Sequence, residues 1–183
     1  MPAFPFGWRS VTGVGVLGGI ALIFVLDLLR PDHEILYSGS FITSACPEIQ
    51  GKKQCAGVYQ LSIANSGDKS QDEVRASWGI PLEKWVVKIN VSDLVAGTKQ
   101  KRDPTIESTP ELAGTAYLVR GLEPNTVVEF KLTCAVCTLE ELEALKNAPL
   151  KVTGKGTVTN SEPRWTIFGR ALRNLERVVR LLL

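Results

Sequence analysis

Four cysteines are the residues of this 183-residue chain whose type and spacing could do chemistry. Cys46 and Cys55 flank an eight-residue, turn-rich loop, and Cys134 and Cys137 form a C-x-x-C pair. In an oxidising compartment an even number of cysteines indicates two disulfides, and local pairing is the simplest of the three connectivities. A bridge between Cys46 and Cys55 would close a small loop, which stabilises a fold by about 3 kcal/mol in the chain-entropy model.

The same four side chains leave three alternatives open. Four thiolates could bind zinc tetrahedrally, and a C-x-x-C is a usual half-site, but the gap between Cys46 and Cys55 is too long for the other half. A redox C-x-x-C is the second alternative, because Cys137 precedes a predicted helix whose dipole lowers a thiol pKa. The usual setting of such a motif is a βαβ unit, which this sequence does not indicate. Free buried thiols are the third alternative.

Other catalytic patterns are sparse. His33 is the single histidine and lies between Asp32 and Glu34, which predicts a solvated surface residue. One histidine argues against a Ser–His–Asp triad and against a multi-histidine metal site. No G-x-G-x-x-G follows a strand, and no G-x-x-x-x-G-K-[ST] occurs. We therefore expect a non-catalytic protein without cofactor or metal, and a formal net charge of +2 is too small to indicate nucleic-acid binding.

The longest apolar stretch runs from Val11 to Leu29 and has no charge in its first sixteen residues. About 20 helical residues cross the hydrocarbon layer of a membrane, and Pro31 would end such a helix. The stretch is longer than the apolar part of a signal peptide, and no small-x-small cleavage site follows it. We expect a single transmembrane anchor over residues 1–31. The positions of Arg9 and Arg30 favour a main domain on the extracytoplasmic, periplasmic side.

Two glycines in this stretch predict a contact within the membrane. Gly15 and Gly19 form a G-x-x-x-G pair, which lets a second helix approach closely in lipid. Ordinary tolerance of glycine in a membrane helix is the alternative. The contact, if made, would join the anchor to other membrane-protein subunits.

The C-terminal residues 162–183 predict a basic amphipathic helix. Apolar and arginine side chains recur there at steps of three and four, which places them on opposed faces of a helix. Such a helix lies among lipid headgroups, binds a partner subunit or packs on its own domain. The residues concerned are Trp165, Phe168, Leu172, Leu175 and Val179 on the apolar face and Arg170, Arg173, Arg177 and Arg180 on the basic face.

Residues 32–161 predict an antiparallel β-sandwich with one inserted helix. Apolar and polar side chains alternate in seven or eight short runs that are separated by turn residues. Residues 95–109 predict a solvated loop, and Thr138 with Glu141 forms a capping box for a helix over residues 139–146. The predicted strands are Ile35–Thr43, Val58–Ala64, Val74–Trp78, Trp85–Val91, Thr115–Val119, Val128–Cys134 and Val152–Thr159.

Two stretches of this region resemble a fibronectin type III or immunoglobulin-like domain. They are EVRASWGIP over residues 73–81 and TAYLVRGLEPNTVVEFKLTCAV over residues 115–136. The second stretch is similar to the strand, L-x-P-x-T turn and strand of that family. It departs from the family at Val128, where a tyrosine is usual, and in the helix after Cys137. The resemblance implies a β-sandwich that binds or spaces other molecules and brings no catalytic residues.

Together these features predict a membrane protein with one span and a mainly β extracytoplasmic domain. We expect a non-catalytic accessory subunit of a multi-subunit membrane complex, whose partners are membrane lipid and other subunits. A membrane-tethered sensor or adhesion module that binds a ligand or a protein is the first alternative. A thiol-redox protein that uses Cys134 and Cys137 is the second.

Overall fold

The computed structural model describes residues 32–43, 46–49, 52–93, 103–112 and 114–161. The predicted anchor with Gly15 and Gly19, and the predicted basic helix over residues 162–183, lie outside these ranges. Among the described residues, no helix has both the length and the apolar character needed to cross a membrane.

The described chain is mainly β, as the alternating sequence pattern predicts. It forms eleven strands and one helix, and the helix is inserted late, after the ninth strand. The strands are β1 Glu34–Thr43, β2 Glu48–Ile49, β3 Lys52–Lys53, β4 Cys55–Asn65, β5 Gln71–Trp78, β6 Val86–Asp93, β7 Thr105–Glu111, β8 Gly114–Leu122, β9 Thr126–Cys137, β10 Leu150–Thr153 and β11 Thr157–Asn160, and the helix is α1 Leu139–Asn147.

The longer strands form two sheets, so the prediction of a two-sheet, mainly β fold is confirmed. One sheet has five strands in the order β11-β1-β4-β9-β6, and the other has four in the order β10-β5-β8-β7. The short strands β2 and β3 form a separate ribbon. Pairing is antiparallel except between β1 and β11, which are parallel. The parallel pairing of β1 with β11 is therefore a local departure from the antiparallel sandwich that the sequence predicts.

Three aromatic side chains join the two sheets at the centre of the core. Trp78 on β5 and Tyr117 on β8 belong to the four-stranded sheet, whereas Phe130 on β9 belongs to the five-stranded one. The ring centroid of Trp78 lies 5.8 Å from that of Tyr117 and 6.0 Å from that of Phe130. Offset and edge-to-face pairs at such distances add to the gain from burial. The alternation of apolar residues along each strand supplies these inward side chains.

The segment from Val152 to Thr159, predicted as one strand, is two strands in different sheets. Between β10 and β11 the chain crosses from the four-stranded to the five-stranded sheet. Gly156 has φ +82°, and a Cβ there would collide with the backbone of His33. The buried side chain of Gln71 accepts a hydrogen bond from the backbone N–H of Lys155 and donates one to its carbonyl, both at 3.1 Å. This glycine and this glutamine make the crossing possible.

The solvated loop predicted over residues 95–109 is also wrong in its last part. Residues 105–109 belong to β7, which pairs antiparallel with β8 along its whole length. Most side chains of β7 are polar, so their composition did not indicate a strand. Backbone hydrogen bonding to β8 and the partly buried Ile106 stabilise the strand in spite of its low intrinsic β propensity.

Candidate functional site

The described residues between Cys46 and Cys55 form a short antiparallel ribbon rather than a loop. The backbone N–H of Gln54 donates to the carbonyl of Pro47 at 3.0 Å, next to the two pairs of the β2–β3 ribbon. Continuing the ribbon's register by two residues puts Cys46 opposite Cys55. The two cysteines are joined at disulfide distance, with their Cα atoms 4.1 Å apart. The ribbon pairs are Glu48 with Lys53 and Ile49 with Lys52.

A β-bulge on β9 brings the C-x-x-C cysteines to one face. Cys137 lies opposite Cys55 on β4, whereas Cys134 lies opposite Gly57, so three steps on β9 match two on β4. Residues three apart in a regular strand point to opposite faces, and an extra residue corrects this. Both cysteines are buried, at 4% and 3% exposure, and the two residues between them are exposed. The bulge therefore makes a C-x-x-C disulfide possible within a strand.

The structure thus brings all four predicted cysteines to one end of the five-stranded sheet. Cys134 and Cys137 lie at disulfide distance with their Cα atoms 6.0 Å apart, and all four cysteines are paired locally, as the simplest connectivity predicts. Cys55, Cys134 and Cys137 belong to the buried core, and Cys46 packs against it. In the described ranges, no group of three or more His, Cys, Asp or Glu side chains is placed to hold a metal ion.

Helix α1 begins two residues after Cys137, the last cysteine of this cluster. Its capping box is confirmed: Glu141 N–H donates to Thr138 Oγ1 at 3.2 Å, and Thr138 N–H donates to Glu141 Oε2 at 2.9 Å. Leu142 and Leu145 are buried beneath the helix. A Cβ added to Gly57 would lie 2.5 Å from Leu142 Cδ2. The helix therefore lies directly on β4, beside the strand bulge.

A pocket of about 290 Å³ lies between this helix and the turn before β6. Trp85 is nearly buried in its wall, and the wall also includes Cys137. Lys84 Nζ donates to Glu141 Oε1 at 2.6 Å, which lowers the pKa of Glu141 and raises that of Lys84. The wall is mainly apolar and has one ion pair, a lining that is typical of pockets that bind an apolar group. The lining residues are Ile80, Pro81, Glu83, Lys84, Trp85, Cys137, Glu141 and Ala144.

A second pocket, of about 460 Å³, lies beside β5 and β10. The carboxylate of Glu111 in its wall accepts two hydrogen bonds. Arg75 Nε donates to Glu111 Oε1 at 3.0 Å, and Ser77 Oγ donates to the same oxygen at 3.3 Å. The hydrogen bond from Arg75 holds the pKa of Glu111 below its usual value. A carboxylate held in its charged form by an arginine is a poor proton donor, which argues against acid catalysis by Glu111.

The sequence predicted that His33 is a solvated surface residue, and the structure shows a side chain that is only partly solvated. It is half-buried, and its Nδ1 is buried without a hydrogen-bond partner among the described residues. Its carbonyl accepts from the backbone N–H of Thr157 at 3.3 Å, because β1 and β11 pair there. The neighbouring Asp32 pairs with Lys69 at 2.6 Å, which lowers the pKa of the carboxyl. His33 therefore belongs to the junction of two strands.

The pocket beside Trp85 and the strand register that places Cys55 opposite Cys137 were not predicted from the sequence. The preceding Ile80-Pro81 turn is visible in the sequence, but the helix that completes the pocket approaches from about sixty positions later. No model of a known protein family matches the chain, and no curated protein matches it either. The features of the chain that bear on its function are therefore the cysteine cluster, the adjacent pocket and the apolar segments of the sequence.

Proposed function

We propose that this chain is a non-catalytic accessory subunit of a multi-subunit membrane complex. One transmembrane helix over residues 11–29 anchors it, and the described domain braces its partners on the extracytoplasmic side. The observation that carries the proposal is the placement of all four cysteines at disulfide distance in one domain. Disulfides persist in oxidising compartments, and a preceding apolar span is the simplest way to hold such a domain there.

The electrostatics of the domain support a scaffold role. The carboxylates and the lysine with shifted pKa values belong to hydrogen-bonded ion pairs on the surface, rather than to groups gathered in one cleft. Perturbed groups that cluster in a cleft are typical of active sites, whereas ion-paired surface groups are typical of structural positions. The pairs are Asp32 with Lys69, Arg75 with Glu111, and Lys84 with Glu141.

For the fold, we propose a fibronectin type III or immunoglobulin-like sandwich. The two-sheet arrangement supports it, and so does the turn over residues 122–126, which carries the L-x-P-x-T sequence. Thr126 N–H donates to the carbonyl of Glu123 at 3.2 Å, and Asn125 has φ +65°, as a tight turn between β8 and β9 requires. Domains of this architecture mostly bind and space other molecules.

The proposal is tested by extraction from the native membrane. The full chain should stay with the membrane at high salt, enter mild detergent, and migrate on native sizing with other subunits. Leucine replacements at Gly15 and Gly19 should release the partners but leave the chain in the membrane, whereas Gly13→Leu serves as the control outside the G-x-x-x-G pair. A chain that washes off as a soluble monomer without detergent contradicts the proposal.

The predicted C-terminal helix has its own test. Deletion of residues 164–183 should weaken either membrane attachment or assembly, because an amphipathic basic helix binds headgroups or a partner groove. Flotation on a density gradient separates these two effects from one another. If flotation and native sizing are both unchanged, the helix has no part in the proposed role.

A membrane-tethered binding module is the second candidate, and the pocket beside Trp85 favours it. A mainly apolar pocket with one ion pair at its wall could take a side chain of a protein ligand. A chain that is membrane-bound yet migrates alone on native sizing would support this candidate over the accessory subunit. Trp85→Ala should then abolish capture of the ligand while the two disulfides still form.

A further inference from the structure

The two disulfides lie side by side through Cys55 and Cys137. These residues are directly opposite each other on the antiparallel strands β4 and β9, so their side chains point to the same face. Opposed residues in such strands have Cα atoms about 4.5–5.5 Å apart, which lies within the range of disulfide-bonded cysteines. Both side chains are buried, at 1% and 3% exposure. A cross-strand bond between them would therefore join two strands that are already neighbours in the sheet.

We propose that the four cysteines form one disulfide-exchange site, with Cys55–Cys137 as an alternative bond, that accepts two electrons from an external protein dithiol. This exchange is a stoichiometric oxidation of the dithiol rather than catalytic turnover, and it goes beyond the bracing role without depending on it. Its parts are an entry disulfide, Cys46–Cys55, and a receiving disulfide, Cys134–Cys137.

The exchange proceeds in three balanced steps. A thiolate of the external dithiol attacks Cys46 Sγ, which forms a mixed disulfide and releases the Cys55 thiolate. The Cys55 thiolate attacks Cys137 Sγ, which forms Cys55–Cys137 and releases the Cys134 thiolate. The second thiolate of the dithiol then attacks the dithiol sulfur that is bonded to Cys46. The dithiol leaves as an internal disulfide, and the Cys46 thiolate is released. The dithiol is oxidised by two electrons, and two disulfides of this chain become one disulfide and two thiolates.

The exposure of each cysteine decides which one an external thiolate attacks first. Cys46 is half-buried, whereas the other three cysteines are buried, so an external thiolate reaches Cys46 first. Attack on Cys46 makes Cys55 the leaving group, and Cys55 is the sulfur that faces Cys137. The alternative bond then links β4 to β9, the two central neighbours of the five-stranded sheet. The sheet therefore stays cross-linked after it has accepted electrons.

The first test uses the full chain in detergent with one equivalent of dithiothreitol as the dithiol. The reaction is quenched with acid, free thiols are alkylated, and the bonds are mapped by mass spectrometry after proteolysis. We expect the species with one disulfide to contain Cys55–Cys137, with alkylation at Cys46 and Cys134. If that species instead retains Cys134–Cys137 with alkylation at Cys46 and Cys55, the exchange does not occur and the proposal is overturned.

The second test asks whether the alternative bond fits the folded sheet. Cys46→Ser with Cys134→Ser leaves Cys55 and Cys137, which should form a bond in air and so lose maleimide labelling when the chain is unfolded without reductant. The matched control, Cys46→Ser with Cys137→Ser, leaves Cys134 opposite Gly57 and should keep both labels under the same unfolding conditions. A folded first variant with two free thiols overturns the proposal. If that variant does not fold, the mapping experiment on the unaltered chain decides.

Discussion

At the scale of single residues, buried polar side chains stabilise the turns of this domain. Asn65 at the end of β4 is fully buried. Its amide nitrogen donates to the carbonyls of Leu122 at 2.8 Å and Lys69 at 3.0 Å, and its oxygen accepts from the Gly67 N–H at 3.0 Å. One side chain therefore ties β4 to the β8–β9 turn, which the L-x-P-x-T sequence alone does not indicate.

Asn65→Ala should lower the free energy of unfolding by about 3 kcal/mol, because it leaves buried backbone groups without partners. Urea denaturation of the oxidised protein in detergent measures this loss. Asn90→Ala, at an exposed position on β6, is the control and should change stability by less than about 0.5 kcal/mol. An equal effect of the two substitutions would show that the Asn65 hydrogen bonds contribute little.

Glu141 gives the domain an acid-sensitive contact. The hydrogen bond from Lys84 lowers its pKa most, followed by the bond from the backbone of Thr138, so the folded-state pKa lies below the usual 4.5. A group with a depressed folded-state pKa contributes stability above its unfolded pKa and loses it as the pH falls through the folded value. Stability should therefore decline below pH 4.5, and Glu141→Gln should make this decline less steep.

Thermal unfolding between pH 6 and pH 3 checks this expectation. Glu143→Gln on the same helix is the control, because Glu143 is exposed and lies outside the capping box. Equal acid slopes for the unaltered protein and Glu141→Gln would rule out the contact as a source of acid sensitivity.

At the scale of elements, close packing of backbones limits which residues the strands accept. Gly114 begins β8, and a Cβ there would collide with the carbonyl oxygen of Trp78 and lie 2.9 Å from the Ile80 nitrogen. These are backbone atoms and cannot rotate away. Gly114→Ala should therefore shift β5 against β8 and lower stability by about 1–3 kcal/mol.

The melting temperature of the oxidised protein measures the effect of Gly114→Ala. Gly121→Asn is the control: Gly121 has φ +71° with open space around it, and asparagine tolerates that conformation. Gly121→Asn should lower the melting temperature much less than Gly114→Ala does. A smaller loss for Gly114→Ala than for the control would contradict the packing argument.

At the scale of the whole molecule, the proposed topology places the sandwich across the membrane from the N-terminus. The exposed Lys88 on β6 offers a reporter position. In intact cells, Lys88→Cys should react with a membrane-impermeant maleimide, because the added thiol would face the outside while the native cysteines stay bonded. Ser10→Cys should react only after lysis. The reverse pattern would invert the topology, and reaction at both positions would rule out a single span.

Some features could be predicted from short stretches because their causes are local. The period-two alternation of Tyr59, Leu61 and Ile63 indicates a strand without reference to its partners. The capping box of Thr138 and Glu141 acts within four residues, and it was predicted correctly. The polar strand β7 and the crossing at Gly156 were missed, because hydrogen bonds to distant strands hold them.

The sequence by itself determined most of the extended segments, where the helix begins and which cysteines are near neighbours along the chain. Only the tertiary structure decided that Cys137 faces Cys55, that Trp85 meets helix α1 in one pocket, and that β11 joins β1 in parallel. Periodicity and capping depend on residues a few positions apart. Strand register depends on the packing of whole sheets, and no short stretch contains that information.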